Sequence, residues 1–321
     1  MGTRGLVGRK VVGALGTLAF VLVFNFVLFR VVPGDPVTRL ARNEGLSREQ
    51  TDALVEEFGL DRSLWVQLPD FVWDTARLEF GVSFGSGRSV TEEIGERVGK
   101  TVLLVGVSTL GSIVIGLVLG IYGAWKRGSG FDTGSMTATL LLYSVPEGWL
   151  ALVLLMVFGS ILSVFPIGGY QSTTPLTGVA HLTDVLNHLV LPAAALTLAY
   201  VGQYSLIMRS SLLDVMGEEY LELARAKGVR EEHVLWRHAV PNATLPIFTL
   251  IFYSFGYILG GAVVVESIFS WPGLGDLTYS AIASQDFPVL QAVFLLSSAS
   301  VIVFNLAADL LYGYLDPRVR R

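Results

Sequence analysis

The sequence predicts an all-α polytopic membrane protein with six transmembrane helices and two long polar segments, one on each side of the membrane. Three observations carry that prediction. Of the 321 residues, 52% are hydrophobic and 15% charged, where a soluble domain carries about a quarter charged residues. The apolar residues gather into six runs, each long enough for the ~20 residues that cross a hydrocarbon core. Lysine and arginine, finally, are distributed unevenly among the short loops.

The runs are 11–32, 101–125, 136–164, 188–208, 245–267 and 289–314. Backbone N–H and C=O groups in lipid must be satisfied within the segment, so continuous apolar runs of this kind are helices. The first follows Arg4, Arg9 and Lys10, as a signal peptide would. It is too long for a signal core and no small-residue cleavage site follows, so it reads as a retained span. Lys126 and Arg127 follow the second run, and Arg318, Arg320 and Arg321 the sixth, whereas 165–187 and 268–288 hold no lysine or arginine. The positive-inside rule then puts both termini, the Lys126 loop and segment 209–243 in the cytoplasm, and segment 34–100 outside. Arg97 and Lys100 run against this placement, but long segments translocate largely regardless of charge. The whole chain, 1–321, reads as a single membrane domain.

Segment 34–100 mixes amphipathic pieces with glycine-rich turns such as 81–87. Leu54, Val55 and Phe58 around Glu56 and Glu57 suit a short surface helix, and the segment is expected to form a small outer cap. Several function classes drop out. A net charge of −5 with no basic stripe does not suit nucleic acid. With no cysteine, disulfides and thiolate metal sites are excluded. His181, His188, His233 and His238 are scattered, without the spacing that places two histidines on one metal. The run from Gly95 to Thr101 superficially resembles a phosphate-binding loop, but Ile94 stands where the first glycine belongs, and the run leads into a span. Neither ion-coupling residues nor inverted repeats point to a secondary transporter.

The informative polar segment is 209–243. Glu219–Gly228 is built of good helix formers and stops at a glycine suited to a helix C-terminus. Arg225 and Lys227 fall in its last turn, favourable for the helix dipole. A second short helix is expected from about Glu231, ending before Pro241. The adjacent Glu218 and Glu219 read as a solvated helix N-terminal face.

The pattern Tyr220-x3-Ala224-Arg225-Ala226-Lys227-Gly228, with His238 and Pro241-Asn242 downstream, resembles the signature cytoplasmic loop of ABC importer permeases, in particular the peptide-importing branch. Further stretches resembling that family occur in order along the chain: Val31-Val-Pro-Gly-Asp-Pro36, Gly59-Leu-Asp-Arg62, Phe80-Gly-Val-Ser-Phe84, Phe165-Pro-Ile-Gly-Gly-Tyr170, His188-Leu-Val-Leu-Pro192, Phe269-Ser-Trp-Pro-Gly-Leu-Gly275, Asp286-Phe-Pro288, Asn305 and Leu315-Asp-Pro-Arg318. The resemblance implies a prokaryotic inner-membrane permease that carries dipeptides or oligopeptides by alternating access. Nickel or another small solute is the alternative cargo. It implies no catalytic residue and no resident metal or cofactor: ATP and Mg²⁺ belong to two separate nucleotide-binding subunits. A second homologous permease and an extracytoplasmic solute-binding protein complete the assembly. Segment 209–243 is then the coupling loop, with its site residues between Glu219 and Asn242. Ala224, Ala226 and Gly228 allow close approach of the ATPase, Arg225 and Lys227 make rim contacts, and Glu219, Tyr220 and His238 belong to the same surface. Pro241 and Asn242 fix the start of the fifth span.

Charges inside the spans need separate reasons. Glu147 falls near the middle of the third run, beside Pro146, which frees a backbone carbonyl and is expected to bend the helix; a carboxylate there costs about 2.5–3.5 kcal/mol. It either lines the substrate pathway or bonds to a neighbouring helix. Asp309 and Asn305 are expected to bond across helices. Glu266 and Arg30 are expected near outer helix ends, where water and snorkelling serve them. Gly111, Gly116 and Gly120 suit close helix packing.

Overall fold

The computed structural model describes residues 3–31, 62–174 and 176–315. The expected helix around Leu54–Phe58 and the stretches 32–61 and 316–321, with the family-like motifs there, lie outside the described residues. Among the described residues the chain is helical, with one isolated antiparallel bridge between Val82 and Ser89. In order come α1 (Thr3–Val31), α2 (Leu64–Ala76), α3 (Val90–Trp125), α4 (Gly130–Ser144), α5 (Glu147–Leu154) and α6 (Gly178–Met216). Three short helices follow, α7 (Glu219–Ala226), α8 (Glu231–Val234) and α9 (Val240–Ala243). The last four are α10 (Leu245–Gly256), α11 (Val263–Ile268), α12 (Leu274–Ser284) and α13 (Phe287–Leu315).

Four stretches are unbroken helices long and apolar enough to cross a membrane: Val7–Arg30, Val90–Trp125, Gly178–Met216 and Phe287–Leu311. Two of them outrun the apolar windows that announced them. α3 begins at Val90 rather than 101, because Glu92 and Glu93 in its first turn suit a helix N-terminus without being apolar. α6 likewise extends from Gly178 to Met216 rather than from 188 to 208.

The third and fifth runs are not single helices: the bend expected at Pro146 is a full break, and the expectation of one continuous helix in the fifth run is corrected. The third bends by 100° between α4 and the stretch Glu147–Ile161. Pro146 lacks an N–H and sterically drives Val145 out of the helical region, and Val145 is extended at φ −87°, ψ 131°. Beyond α5 the backbone widens into a π turn over Leu155–Ile161. The fifth run begins with a 46° bend between Glu231–Ala243 and Leu245–Gly260. It then breaks again after a single 3₁₀ turn, Ile258–Gly260, with Gly261 at φ +69°.

α3 and α6 form the centre of the fold. A Cβ on Gly116 would stand 2.5 Å from the Tyr204 Cβ, and one on Gly120 would stand 2.7 Å from both the Met208 Cβ and the Ser205 oxygen. The helices therefore touch backbone to side chain, as expected from the small residues of the second span. Buried hydroxyls add polar links along the same seam: Thr197 Oγ1 donates to the Ser108 oxygen at 3.2 Å, and Ser112 Oγ to the Thr197 oxygen at 3.3 Å. α13 packs against α1 and α10, and Lys10 pairs with Asp309 at 2.8 Å, so Asp309 does bond across helices. Asn305, expected to do likewise, is exposed on α13.

Glu266 overturns its expectation more thoroughly. It is fully buried, not reached by water. Its carboxylate accepts Thr101 Oγ1 at 3.0 Å and the N–H groups of Gly275 and Asp276 at 2.8 and 3.1 Å. Those two N–H groups open helix α12, so a carboxylate from α11 serves as a cap delivered from another element. Thr101 turns its oxygen to the Leu274 N–H at 2.7 Å, and Trp271 Nε1 donates to the Lys100 oxygen at 3.0 Å. The α11–α12 hairpin is thereby bolted to α3. Replacing Glu266 with leucine leaves three donors without an acceptor, each costing about 1–3 kcal/mol when buried. The expected outcome is a loss of about 3 kcal/mol or more, seen as a lower thermal midpoint of the purified protein. Glu266→Gln, which keeps one acceptor, should lose less. Equal midpoints for wild type and Glu266→Leu would contradict the lock.

Candidate functional site

The segment between α6 and α10 folds into a compact helical knot with a buried side and an exposed side. α7 shows apolar Leu221 and half-buried Ala224 on one face, and Tyr220, Leu223, Ala226 and Lys227 on the other. Leu221 is fully buried. It belongs to one apolar cluster with Ile121 and Ala124 at the end of α3, Met208 and Leu212 of α6, and Val234, Leu235 and Ala239 beyond α7. Leu223, by contrast, is 58% exposed, and Tyr220 43%. An exposed apolar side chain beside small residues is a surface suited to a partner.

The bend after α7 forms as the sequence anticipates. Lys227 closes the helix, its N–H bonded to the Leu223 oxygen at 3.1 Å. Gly228 follows at φ +79°, a conformation that costs a residue with a Cβ roughly 1–2 kcal/mol. Arg225, expected to make rim contacts, is partly exposed and forms an ion pair within the segment. Its Nε donates to Glu231 Oε1 at 3.0 Å, which pins α7 to α8 across the glycine bend.

Three of the expected residues converge although the chain separates them by up to 22 positions. Asn242 Nδ2 donates to the Tyr220 hydroxyl at 3.1 Å and to the His238 backbone oxygen at 2.7 Å, and the Tyr220 hydroxyl reaches the same oxygen at 3.4 Å. The His238 oxygen is available because the backbone is a wide π turn over Leu235–Ala239. The second helix ends before Pro241 as expected: α8 stops at Val234, the π turn runs to Ala239, and a new helix, α9, opens at Val240. Pro241 lies in the first turn of α9, where no intrahelical N–H is required of it. Glu219 is exposed at the start of α7.

Two contacts tie the knot to the spans. Ser211 Oγ donates to the Ala243 oxygen at 2.8 Å. Arg209 grips Asp132 with both arms, Nε to Oδ1 at 2.7 Å and Nη2 to Oδ2 at 2.8 Å. Asp132 is buried and also accepts the Gly128 N–H at 2.9 Å, so this pair fixes the 126–129 turn to α6. Sequence reading missed it: a charge at the edge of an apolar run looks like an ordinary flank, and only Ser129 as a helix cap hinted at Asp132.

Glu147 stands apart from this cluster. It opens α5 immediately after the Pro146 break, half exposed, and accepts the Tyr200 hydroxyl at 2.6 Å. Tyr200 lies two and a half turns before Arg209 on α6. Among the described residues, no group of three or more His, Cys, Asp or Glu side chains is placed to hold a metal ion.

Residues 113–321, which include the knot, match the family model described as the binding-protein-dependent transport system inner membrane component. The chain belongs to that family. It is similar to a putative peptide transport system permease of Brucella abortus, 36% identical over 317 residues and covering 98% of each chain. The oligopeptide transport system permease of Bacillus subtilis is 34% identical, covering 97% of this chain and 98% of its own. The dipeptide transport system permease of Escherichia coli is 34% identical, with 97% of each covered. As an inner-membrane component of such a system, this chain is a multi-pass permease of an ABC importer. ATP hydrolysis lies on separate subunits, and a solute-binding protein supplies the cargo.

The geometry yields a direct test of the knot. Asn242→Ala removes two hydrogen bonds of about 1 kcal/mol each. It should speed amide exchange in Glu219–Ala226 by roughly tenfold or more while the thermal midpoint of the whole chain barely moves. Unchanged exchange in α7 would mean that the Asn242–Tyr220–His238 contact does not hold it.

Proposed function

We propose that this permease imports dipeptides or oligopeptides, and that Tyr220, Leu223, Ala226 and Lys227 form the surface on which an ATPase subunit docks. The observation that carries the reading is the two-sided construction of α7. Its outer face exposes Tyr220, Leu223 and Ala226, with Lys227 exposed at the helix end. Its inner face is anchored through Leu221 in the same packed cluster as the ends of α3 and α6. Packed interiors are stiff and do not absorb small displacements. A push on α7 is passed to the spans as a rigid movement, and the Arg225–Glu231 and Arg209–Asp132 pairs keep the lever from folding. The peptide cargo follows from the names of the similar permeases of Brucella, Bacillus and Escherichia.

In this reading each bent pair counts as one crossing, giving six spans with both termini and the knot in the cytoplasm. The lysines and arginines of the short loops support that orientation. A second, homologous permease completes the pathway. Glu147, at the break in the third span and bonded to Tyr200, lines that pathway and meets the amino end of the peptide. Glu147→Gln should lower uptake of peptides with a free amino terminus by roughly tenfold and leave N-acetylated peptides unaffected. Equal uptake of both would remove Glu147 from the pathway.

The docking surface is tested by substituting Ala226→Glu, which adds a bulky charge without touching a buried residue. Purified from its own membranes, the wild-type chain should bring down ATPase subunits. The variant should retain at least tenfold less and lose peptide uptake, with an unchanged thermal midpoint. Full retention by the variant would move the docking surface elsewhere. Uptake of nickel in place of peptides by the intact assembly would replace the cargo and keep the architecture.

A further inference from the structure

At the end of the molecule away from the knot lies a cavity of about 350 Å³ between α1, α2, the 79–84 turn and the first turn of α13. The start of α3 packs with Phe29, Phe80 and Val289 at this end, and Trp125 at its far end packs with the knot. The 36 residues between put the cavity about 50 Å from α7. This is the opposite membrane face.

The cavity lining is unusual for its unspent hydrogen-bonding capacity. Gln67 is 9% exposed. Its Nε2 donates to the Arg62 oxygen at 2.7 Å, but its Oε1 has no partner. Gln291 Nε2, also on the lining, is buried without an acceptor. Arg30 is half-buried on the same wall and makes no ion pair among the described residues. The guanidinium of Arg30 on the lining calls for an anionic occupant, and the two glutamines hold an acceptor and a donor sealed in the same wall, which reach an occupant once their side chains turn toward it. At the mouth stand the exposed carboxylates Asp74 and Glu79. The site therefore offers donors and positive charge to an anion inside, and acceptors and negative charge to an ammonium group near the opening.

The surroundings identify the medium from which that occupant comes. α2 is amphipathic, and its outward face carries Leu64, Trp65, Val66, Val72 and Trp73, with Trp65 85% exposed. Such a helix lies in the headgroup layer, its tryptophans at the boundary between water and hydrocarbon. α1 approaches the cavity with Phe20, Phe24, Val27 and Leu28 exposed to the surroundings. We propose that the cavity is a binding site for an aminophospholipid headgroup. The phosphate diester is held by Arg30, with Gln291 Nε2 turning out of the wall toward it, and the primary ammonium by the carboxylates of Asp74 and Glu79, with Gln67 Oε1 turning toward it in the same way. The acyl chains run down the exposed face of α1.

The test uses the full transporter assembly, purified in detergent and titrated with defined phospholipids while retained lipid is counted by native mass spectrometry. Phosphatidylethanolamine should be retained at least tenfold better than phosphatidylcholine, which has the same phosphate but no N–H donor. Phosphatidylglycerol, with no ammonium, should also lose by at least tenfold. Arg30→Gln and Asp74→Asn should each reduce phosphatidylethanolamine retention by roughly tenfold. Asp74 is exposed, so its variant folds even if Arg30→Gln does not. Equal retention of the three lipids, or retention indifferent to Asp74→Asn, would overturn the proposal and leave ordered water as the partner of the two glutamines. Binding of tail-free glycerophosphoethanolamine as tightly as the lipid would assign the site to a soluble headgroup instead. Displacement of lipid by a zwitterionic dipeptide would assign it to cargo.

Discussion

The close crossing of α3 and α6 is the constraint on which the rest of the structure depends. Gly116 and Gly120 bring the two helices so near that no side chain larger than hydrogen fits between them, and hydroxyl-to-carbonyl bonds run along the same seam. Everything that touches function is hung on this pair. One end of the seam buries Leu221 and so carries the knot. At the other end, Thr101 and the Lys100 oxygen receive the α11–α12 hairpin. Lipid drives helix association only weakly, because hydrocarbon solvates leucine as well as another helix does. Intimate contact and internal hydrogen bonds have to do what burial from water does in a soluble core.

The buried charges obey the same logic. Asp132 is met by both arms of Arg209 and by a backbone N–H, and Glu266 by a hydroxyl and the opening N–H groups of a helix. A carboxylate in a medium of low dielectric is tolerable only when its acceptor capacity is spent. Both groups join elements far apart in sequence, so each fixes the arrangement of spans more than it adds to their stability. Glu147, half exposed at a helix break with one partner, is held far less firmly.

Much of this was legible in the chain itself, and what was not has a physical reason. The apolar runs announce the membrane helices because the twenty-residue requirement is a matter of length and polarity alone. Tyr220 to Gly228 reads as a helix with a glycine stop because capping is local, and the structure puts Gly228 at positive φ. Pro146 announces a bend in the third run, but neither its size, 100°, nor the break at Gly261 was legible, because a hydropathy window weighs composition and not direction. The Asn242–Tyr220–His238 contact was invisible as a contact because it depends on the widened turn at Leu235–Ala239, which has no sequence signature. Glu266 looked like a helix-end residue because its three donors come from two other elements.

The placement of Glu266 also bears on how the chain is built. Thr101 leaves the ribosome long before Glu266, while Gly275 and Asp276 leave after it. When the last spans are first threaded into the bilayer, the carboxylate has none of its native partners in place. It gains them only when the chain after Trp271 has turned back to start α12 and α3 is waiting beside it. The α11–α12 hairpin therefore cannot close around Glu266 until the chain has been made as far as Asp276. Until then, Glu266 is a charge that water at the membrane surface must serve, and its capture marks the point at which the two halves of the chain become one structure.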